Sequence, residues 1–150
     1  MNFLKSKERK QIINMIDKQW GFCPDVIRNS YLMRSGKDRI YLINTDYAEV
    51  DLSGIRINNV GLYIAEDKGE FRLSIEGSQI VGPGATKNVL KIDDEFRKQW
   101  FMGEDLHIEG DYQGFVILKH GKDFIGSGKY KEGKILNFVP KTRRLKQVHC

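Results

Sequence analysis

Gly114-Phe115-Val116-Ile117-Leu118-Lys119-His120-Gly121-Lys122-Asp123-Phe124-Ile125-Gly126-Ser127-Gly128-Lys129-Tyr130 is the stretch whose pattern decides the fold. Runs rich in β-branched and aromatic residues flank the turn Gly121-Lys122, and they read as strands over Gly114–His120 and Asp123–Tyr130. Outward from this pair the same grammar continues. Asp105–Glu109 and Lys134–Val139 are further strands, with Gly110-Asp111 and Glu132-Gly133 as separators. Short, closely spaced strands with glycine turns favour a small barrel over an open sheet.

Upstream, Asp94–Trp100 has the signature of a helix, with Asp93 or Asp94 as cap, acids in the first turn and Gly103 beyond its end. Gly82-Pro83-Gly84 is a turn, and Ala85–Leu90 is read as a short helix or extended turn. The N-terminal half opens with a helix over Ser6–Trp20. Ser6 is its expected cap, Gly21 its stop, and Ile12, Ile13, Ile16 and Trp20 its apolar face. Tyr31–Arg34 and Arg39–Asn44 form a hairpin across Ser35-Gly36-Lys37-Asp38, in which Gly36 supplies the positive φ and Asp38 a local hydrogen bond. Asp46–Leu52 is read as a helical turn or loop. Asn58–Glu66 and Glu70–Ile75 bracket a second hairpin around Lys68-Gly69. A new unit begins near Glu76-Gly77, so the expected division is 1–76 and 77–150.

The chain has 150 residues, 40% hydrophobic and 30% charged, with a formal net charge of +5. That balance describes a folded protein. The charge is unevenly placed. From Phe115 to Cys150 nine basic residues (Lys119, Lys122, Lys129, Lys131, Lys134, Lys141, Arg143, Arg144, Lys146) face two acids, Asp123 and Glu132. Focused positive charge attracts polyanions and speeds their encounter. No apolar run approaches the roughly 20 residues that span a bilayer, and the polar N-terminus has no signal-peptide core. Two cysteines, Cys23 and Cys150, make no disulfide framework. The expectation is a cytoplasmic protein without membrane attachment.

The second half resembles a PUA domain, a small RNA-binding barrel, over roughly Ser78 to Leu145. The resemblance lies in Gly82-Pro83-Gly84-Ala85-Thr86-Lys87-Asn88-Val89-Leu90, in Gly103-Glu104-Asp105, and above all in Gly114–Leu118 followed by Phe124–Tyr130. The ending Leu136-Asn137-Phe138-Val139-Pro140-Lys141-Thr142-Arg143-Arg144 is similar to the PUA-like tails of Sun-type RNA cytosine methyltransferases. Gly61–Ile64 with Phe71–Ile75 resembles the pre-PUA domain of small, non-catalytic ribosome-biogenesis factors. These resemblances imply an α+β protein: a small mixed N-terminal domain, then a PUA-like β-barrel with a basic C-terminal tail.

The residues then expected to hold an RNA backbone are Lys87, Lys119, Lys129, Lys131, Lys134, Lys141, Arg143, Arg144 and Lys146. Lys87 follows a glycine turn that lets backbone N–H groups approach phosphate. That turn is not a Walker loop, because Lys87 follows Thr86 and precedes Asn88. Alternation sets Lys129 and Lys131 on one face of a strand and Tyr130 on the other. Phe115, Phe124 and Phe138 are read as core, and Trp20 and Trp100 as packing residues.

Catalytic and metal readings are weaker. His107, His120, His149, Cys23 and Cys150 have no zinc-site spacing. Gly126-Ser127-Gly128 lacks the spacing of a nucleophile elbow. A glycine-rich cofactor loop after a strand is missing, and Cys23-Pro24 reverses the order of a Pro-Cys nucleophile. The expectation is a non-catalytic protein without cofactor or metal that binds ribosomal or transfer RNA in ribosome assembly or RNA modification. Its N-terminal domain would hold a ribosome-assembly or RNA-modifying protein. The alternatives are a small RNA-modifying enzyme or methyltransferase-associated subunit, and an adaptor that never touches RNA.

Overall fold

A computed structural model describes residues 2–43 and 61–145. The expectation for Asp46–Leu52 and the first residues of Asn58–Glu66 lie outside them.

Helix α1 (Ser6–Trp20) buries Ile12, Ile16 and Trp20 at four-residue steps, as its periodicity predicts. Its N-cap is Lys5, which offers no side-chain bond, so the expected cap at Ser6 is the first helical residue instead. Gly21 ends the helix at φ 79° and donates its N–H to the Asp17 carbonyl. A one-turn helix, α2 (Asp25–Arg28), follows Pro24.

Strands β1 (Asn2–Phe3), β2 (Tyr31–Arg34), β3 (Arg39–Ile43), β4 (Gly61–Asp67) and β5 (Phe71–Leu73) form one antiparallel sheet in chain order. In the β2–β3 turn the left-handed residue is Asp38, at φ 58°, and not Gly36. Ser35 fixes this turn: its hydroxyl accepts the N–H groups of Lys37 and Arg39, and Asp is one of the few side chains tolerated at positive φ. Gly69 at φ 85° turns the β4–β5 hairpin as expected.

The strand expected to run to Ile75 stops at Leu73. Ser74 caps α3 (Ile75–Val81), its hydroxyl accepting the Gly77 N–H at 2.9 Å while donating to the Tyr63 carbonyl at 2.7 Å. The division expected between residues 76 and 77 falls inside this helix. A 3-10 turn (Gly82–Gly84) leads to β6 (Val89–Lys91), an edge strand where a helix or extended turn was expected. Helix α4 (Asp94–Phe101) is capped by Asp93, whose carboxylate accepts the Phe96 N–H.

The second sheet comprises β6, β7 (Leu106–His107), β8 (Phe115–His120), β9 (Asp123–Lys131) and β10 (Lys134–Leu136), ordered β6-β8-β9-β10-β7. β6 runs parallel to β8 and the other pairs are antiparallel. Among the described residues no ladder joins the outer strands β6 and β7. Val116 and Leu118 pack with Trp100, Leu106 and Ile135 in one core. Phe115 and Ile117 join Ile12, Ile16, Trp20, Ile64 and Leu73 in the other. The β8–β9 pair is therefore covered on both faces, which explains its nearly unbroken apolar run. A register shift between Leu118 and Lys119 leaves Ile125 without a cross-strand partner and brings Phe124 opposite Lys119.

Helix α3 seats on β4 at Gly77, where a Cβ would come within 2.0 Å of the Ile64 carbonyl oxygen. Gly77→Ala is expected to cost about 1–3 kcal/mol by overpacking. Gly36→Ala, with nothing within 4 Å, should change stability by less than about 0.5 kcal/mol. Urea unfolding of the two variants checks the contrast.

Candidate nucleic-acid interface

The glycine turn before Lys87 docks on the end of α1. The Thr86 N–H donates to the Trp20 carbonyl at 2.8 Å, and Asn88 Nδ2 donates to the Gln19 carbonyl at 2.7 Å. Gly84 lies against the Phe22 ring, and Gly82 against Phe124. Lys87 is left exposed on the rim of a cleft of about 740 Å³, together with Lys18, Glu70, Phe71, Asp111 and Tyr112. Lys18, on the hydrophilic side of α1, had no reason in local sequence to be linked with Lys87. Two lysines and two carboxylates leave this cleft close to neutral.

Lys129 faces this side of the molecule but is paired with Glu70 on the β4–β5 turn. Lys131 and Lys134 sit directly across from one another on β9 and β10, with His107 of β7 next in the row. Residues opposed in this way project from the same face, so the two lysines stand side by side at this end of the sheet, with Glu132 in the turn between them and Glu109 against Gly133. Lys119 is elsewhere. It lies at the level of Phe124, five residues along β9 from Lys129, or about 16 Å at the rise of a strand. Its ammonium sits 5.3 Å from the Phe124 ring centre, and Lys91 of β6 is its lateral neighbour.

The C-terminal segment divides its cations by role. Lys141 is exposed in a 3-10 turn (Lys141–Arg143). Arg143 bonds Glu76 of α3 at 2.6 Å. Arg144 turns inward, its Nε donating to the Val139 carbonyl at 3.0 Å and its stem packing against Gly103, so it ties the segment to the α4 exit. Lys146 lies outside the described residues. Lys87, Lys119, Lys131, Lys134 and Lys141 enter no ion pair among the described residues.

Two aromatic pairs involve strands of this sheet. Tyr112 meets Tyr130 edge-on at 5.7 Å, and Phe115 tilts against Phe138 at 5.4 Å. Phe138, expected in the core, is 38% exposed, and the Arg72 guanidinium lies 5.0 Å from its ring centre. Glu66 holds Arg72 in that position and also bonds Lys68 at 3.1 Å. Burial alone would raise the Glu66 carboxyl; the Lys68 and Arg72 hydrogen bonds and charges outweigh it and hold the group below its ordinary value.

Glu66→Gln should cost about 1–2 kcal/mol at pH 7. The native carboxyl titrates below its ordinary value of 4.5 and the unfolded one near it. This contribution is therefore present above pH 4.5 and is lost as pH falls through the native value. Urea unfolding of wild type and variant at neutral and acid pH should show the gap closing; a constant gap would contradict the assignment.

Residues 87–145 match the family model described as the methyltransferase RsmF PUA domain. Similar curated proteins carry the name ribosomal RNA small subunit methyltransferase F. One from Vibrio vulnificus (strain YJ016) is 31% identical over 91 residues, covering 60% of this chain and 19% of the relative. One from Vibrio cholerae (strain M66-2) is 29% identical over 92 residues, covering 60% and 20%. A third, from Aeromonas hydrophila, is 26% identical over 140 residues, so the likeness reaches 92% of this chain but only 28% of the relative. The chain thus matches between 19% and 28% of the length of these relatives. The matched segment contains the β8–β9 pair, the opposed Lys131 and Lys134, and the basic C-terminal turn, and it is this segment that is similar to the PUA domain of the RNA methyltransferases.

Proposed function

We propose that this chain is a non-catalytic RNA-binding protein of the cytoplasm that acts in ribosome assembly or RNA modification. The observation that carries the reading is a coincidence of two features. The C-terminal part of the segment matched to the RsmF PUA domain, residues 115–145, holds eight basic residues against two acids, and on it Lys131, Lys134 and Lys141 are exposed and enter no ion pair among the described residues. Such cations neutralise phosphate and release counterions without reading sequence. Lys87 extends the track toward the α1 cleft. Lys129, Arg143 and Arg144 have protein partners already, so they position the interface and contribute less to phosphate contact. The second sheet acts as the wall of a PUA-like barrel, with β6 and β7 as its ends. Residues 1–76 form the pre-PUA-like unit that would meet a ribosome-assembly or RNA-modifying protein, and α3 joins it to residues 77–150.

A second reading has one specific support: the relatives are named as ribosomal RNA methyltransferases and are several times longer. This chain would then serve as the RNA-holding part of a modifying assembly whose chemistry resides elsewhere. Among the described residues no helix is long and apolar enough to cross a membrane.

Anisotropy of a labelled ribosomal RNA hairpin should report affinity that falls steeply between about 50 and 200 mM salt. Replacing Lys87, Lys131 and Lys134 together by alanine should flatten the log–log slope by about 2. A slope unchanged by the triple substitution would remove these lysines from the interface, and an absence of binding would favour the adaptor.

A further inference from the structure

β10 pairs with β9 only at residues 129–131, so the edge of β9 at Gly126–Ser127 is left to α3 and to the segment after β10. A cavity of about 480 Å³ opens there, between the two sheets. Its walls include Arg39 and Tyr63 from the first sheet, Arg72 and Phe138 stacked together, Arg143, and the indole of Trp100. Arg39 lies 5.2 Å from the centre of the Tyr63 ring. Three arginines and a single carboxylate, Glu76, line the cavity. Arg72 is paired with Glu66 and Arg143 with Glu76, so Arg39, which enters no ion pair among the described residues, is the cation placed to meet an anion.

The polar groups of the wall are nearly all satisfied. Ser74 bonds Tyr63 and Gly77, and Ser127 bonds the Leu73 carbonyl at 2.8 Å. Trp100 is the exception. It is 1% exposed, and its Nε1 has no hydrogen-bond partner among the described residues. A buried N–H of this kind destabilises the fold unless an acceptor reaches it. The position a Cβ would take at Gly126 lies 3.5 Å from Trp100 Nε1 and 3.6 Å from Ile75 Cγ1, and all three residues line the cavity. The glycine, at φ 142°, leaves room at this point for one atom in ordinary contact with the indole nitrogen. Trp20 Nε1 is also unpartnered, but it lies in the other core, away from this cavity.

We propose that this cavity receives one unpaired RNA nucleotide. An acceptor on the base meets the Trp100 N–H, the rings of Tyr63 and Phe138 flank the base, and Arg39 takes its phosphate. Aromatic walls with arginines at hand suit splayed, single-stranded nucleotides, and the volume is of the size that holds a small ligand. This site rests on the RNA-binding reading above and narrows it, since backbone contacts alone carry no base information.

The two indole N–H signals make the test direct. In ¹⁵N–¹H spectra of the full chain, assigned with Trp20→Phe, uridine 5′-monophosphate or a six-residue oligouridylate should move the Trp100 indole peak and leave the Trp20 peak in place. Arg39→Ala, on an exposed strand position, should weaken that response at least about tenfold. Thr142→Trp, which plugs the wall, should abolish it while the Trp20 and Trp100 indole signals keep their folded positions beside the third signal that the variant adds. If the labelled hairpin binds but Trp100 does not move with either ligand at millimolar concentration, the pocket is overturned and RNA binding stands. A Trp100 shift without hairpin binding would keep the pocket as a free-nucleotide site and sink the RNA reading. Equal movement of both indole peaks, or a response insensitive to Arg39→Ala and Thr142→Trp, would overturn the pocket.

Discussion

Ser127 and its two flanking glycines lie between two hydrophobic cores, and the remaining architecture is arranged around that strand. On one side the indole of Trp100 spans them: Nε1 lies near Gly126, and a Cβ at Gly128 would come within 2.6 Å of the far edge of the ring. On the other side the Ser127 hydroxyl crosses to the Leu73 carbonyl. A strand buried on both faces must satisfy every polar group internally. A side chain at Gly128 would push into the indole, whereas at Gly126, where a Cβ would sit at ordinary contact distance, the φ of 142° is what favours glycine. A larger apolar residue at 127 would leave the Leu73 carbonyl without that donor. The Gly-Ser-Gly pattern is thus a packing device that lets one strand serve two cores.

That double burial has an electrostatic consequence. The two halves meet along a seam where charges are matched, Lys129 with Glu70 and Arg143 with Glu76, and within the first sheet Glu66 of β4 holds Arg72 of β5. Partly buried pairs like these orient the groups that carry them more than they stabilise the fold. They also spend cations that an inspection of charge alone would assign to a ligand. Of the lysines expected to meet RNA, those without an acidic partner among the described residues stand at the β9–β10 end, at Lys141, at Lys87 and beside Phe124. The positive field is therefore patterned by the fold: one set of cations holds the halves together and another faces outward.

Much of the element order was legible because its signals are local. Helix α1 follows from apolar residues at 12, 16 and 20 and a glycine at 21. The β8–β9–β10 run follows from short apolar stretches between glycine turns. Helix α3 was missed because Gly77 and Ser78, poor helix formers, sit in its middle. They are there because the helix backbone must approach the Ile64 carbonyl closely. The left-handed residue of the first hairpin was misplaced at Gly36 because composition shows that a glycine is present, not that Ser35 would fix the turn one step later through its hydroxyl. For the candidate site, the cations were identifiable as residue types, but their division into paired and unpaired groups was not. Lys18 lies 69 positions from Lys87, and Arg39, Arg72 and Arg143 come from three separate elements.

By itself the sequence determined periodicity, turn chemistry and the uneven placement of charge, because each depends on residues within a few positions of one another. Only the tertiary structure decided which lysines are already paired, that Trp100 carries an unanswered N–H, and that β9 is shared between two cores. Those properties depend on burial and on partners tens of residues away, and local sequence contains no record of either.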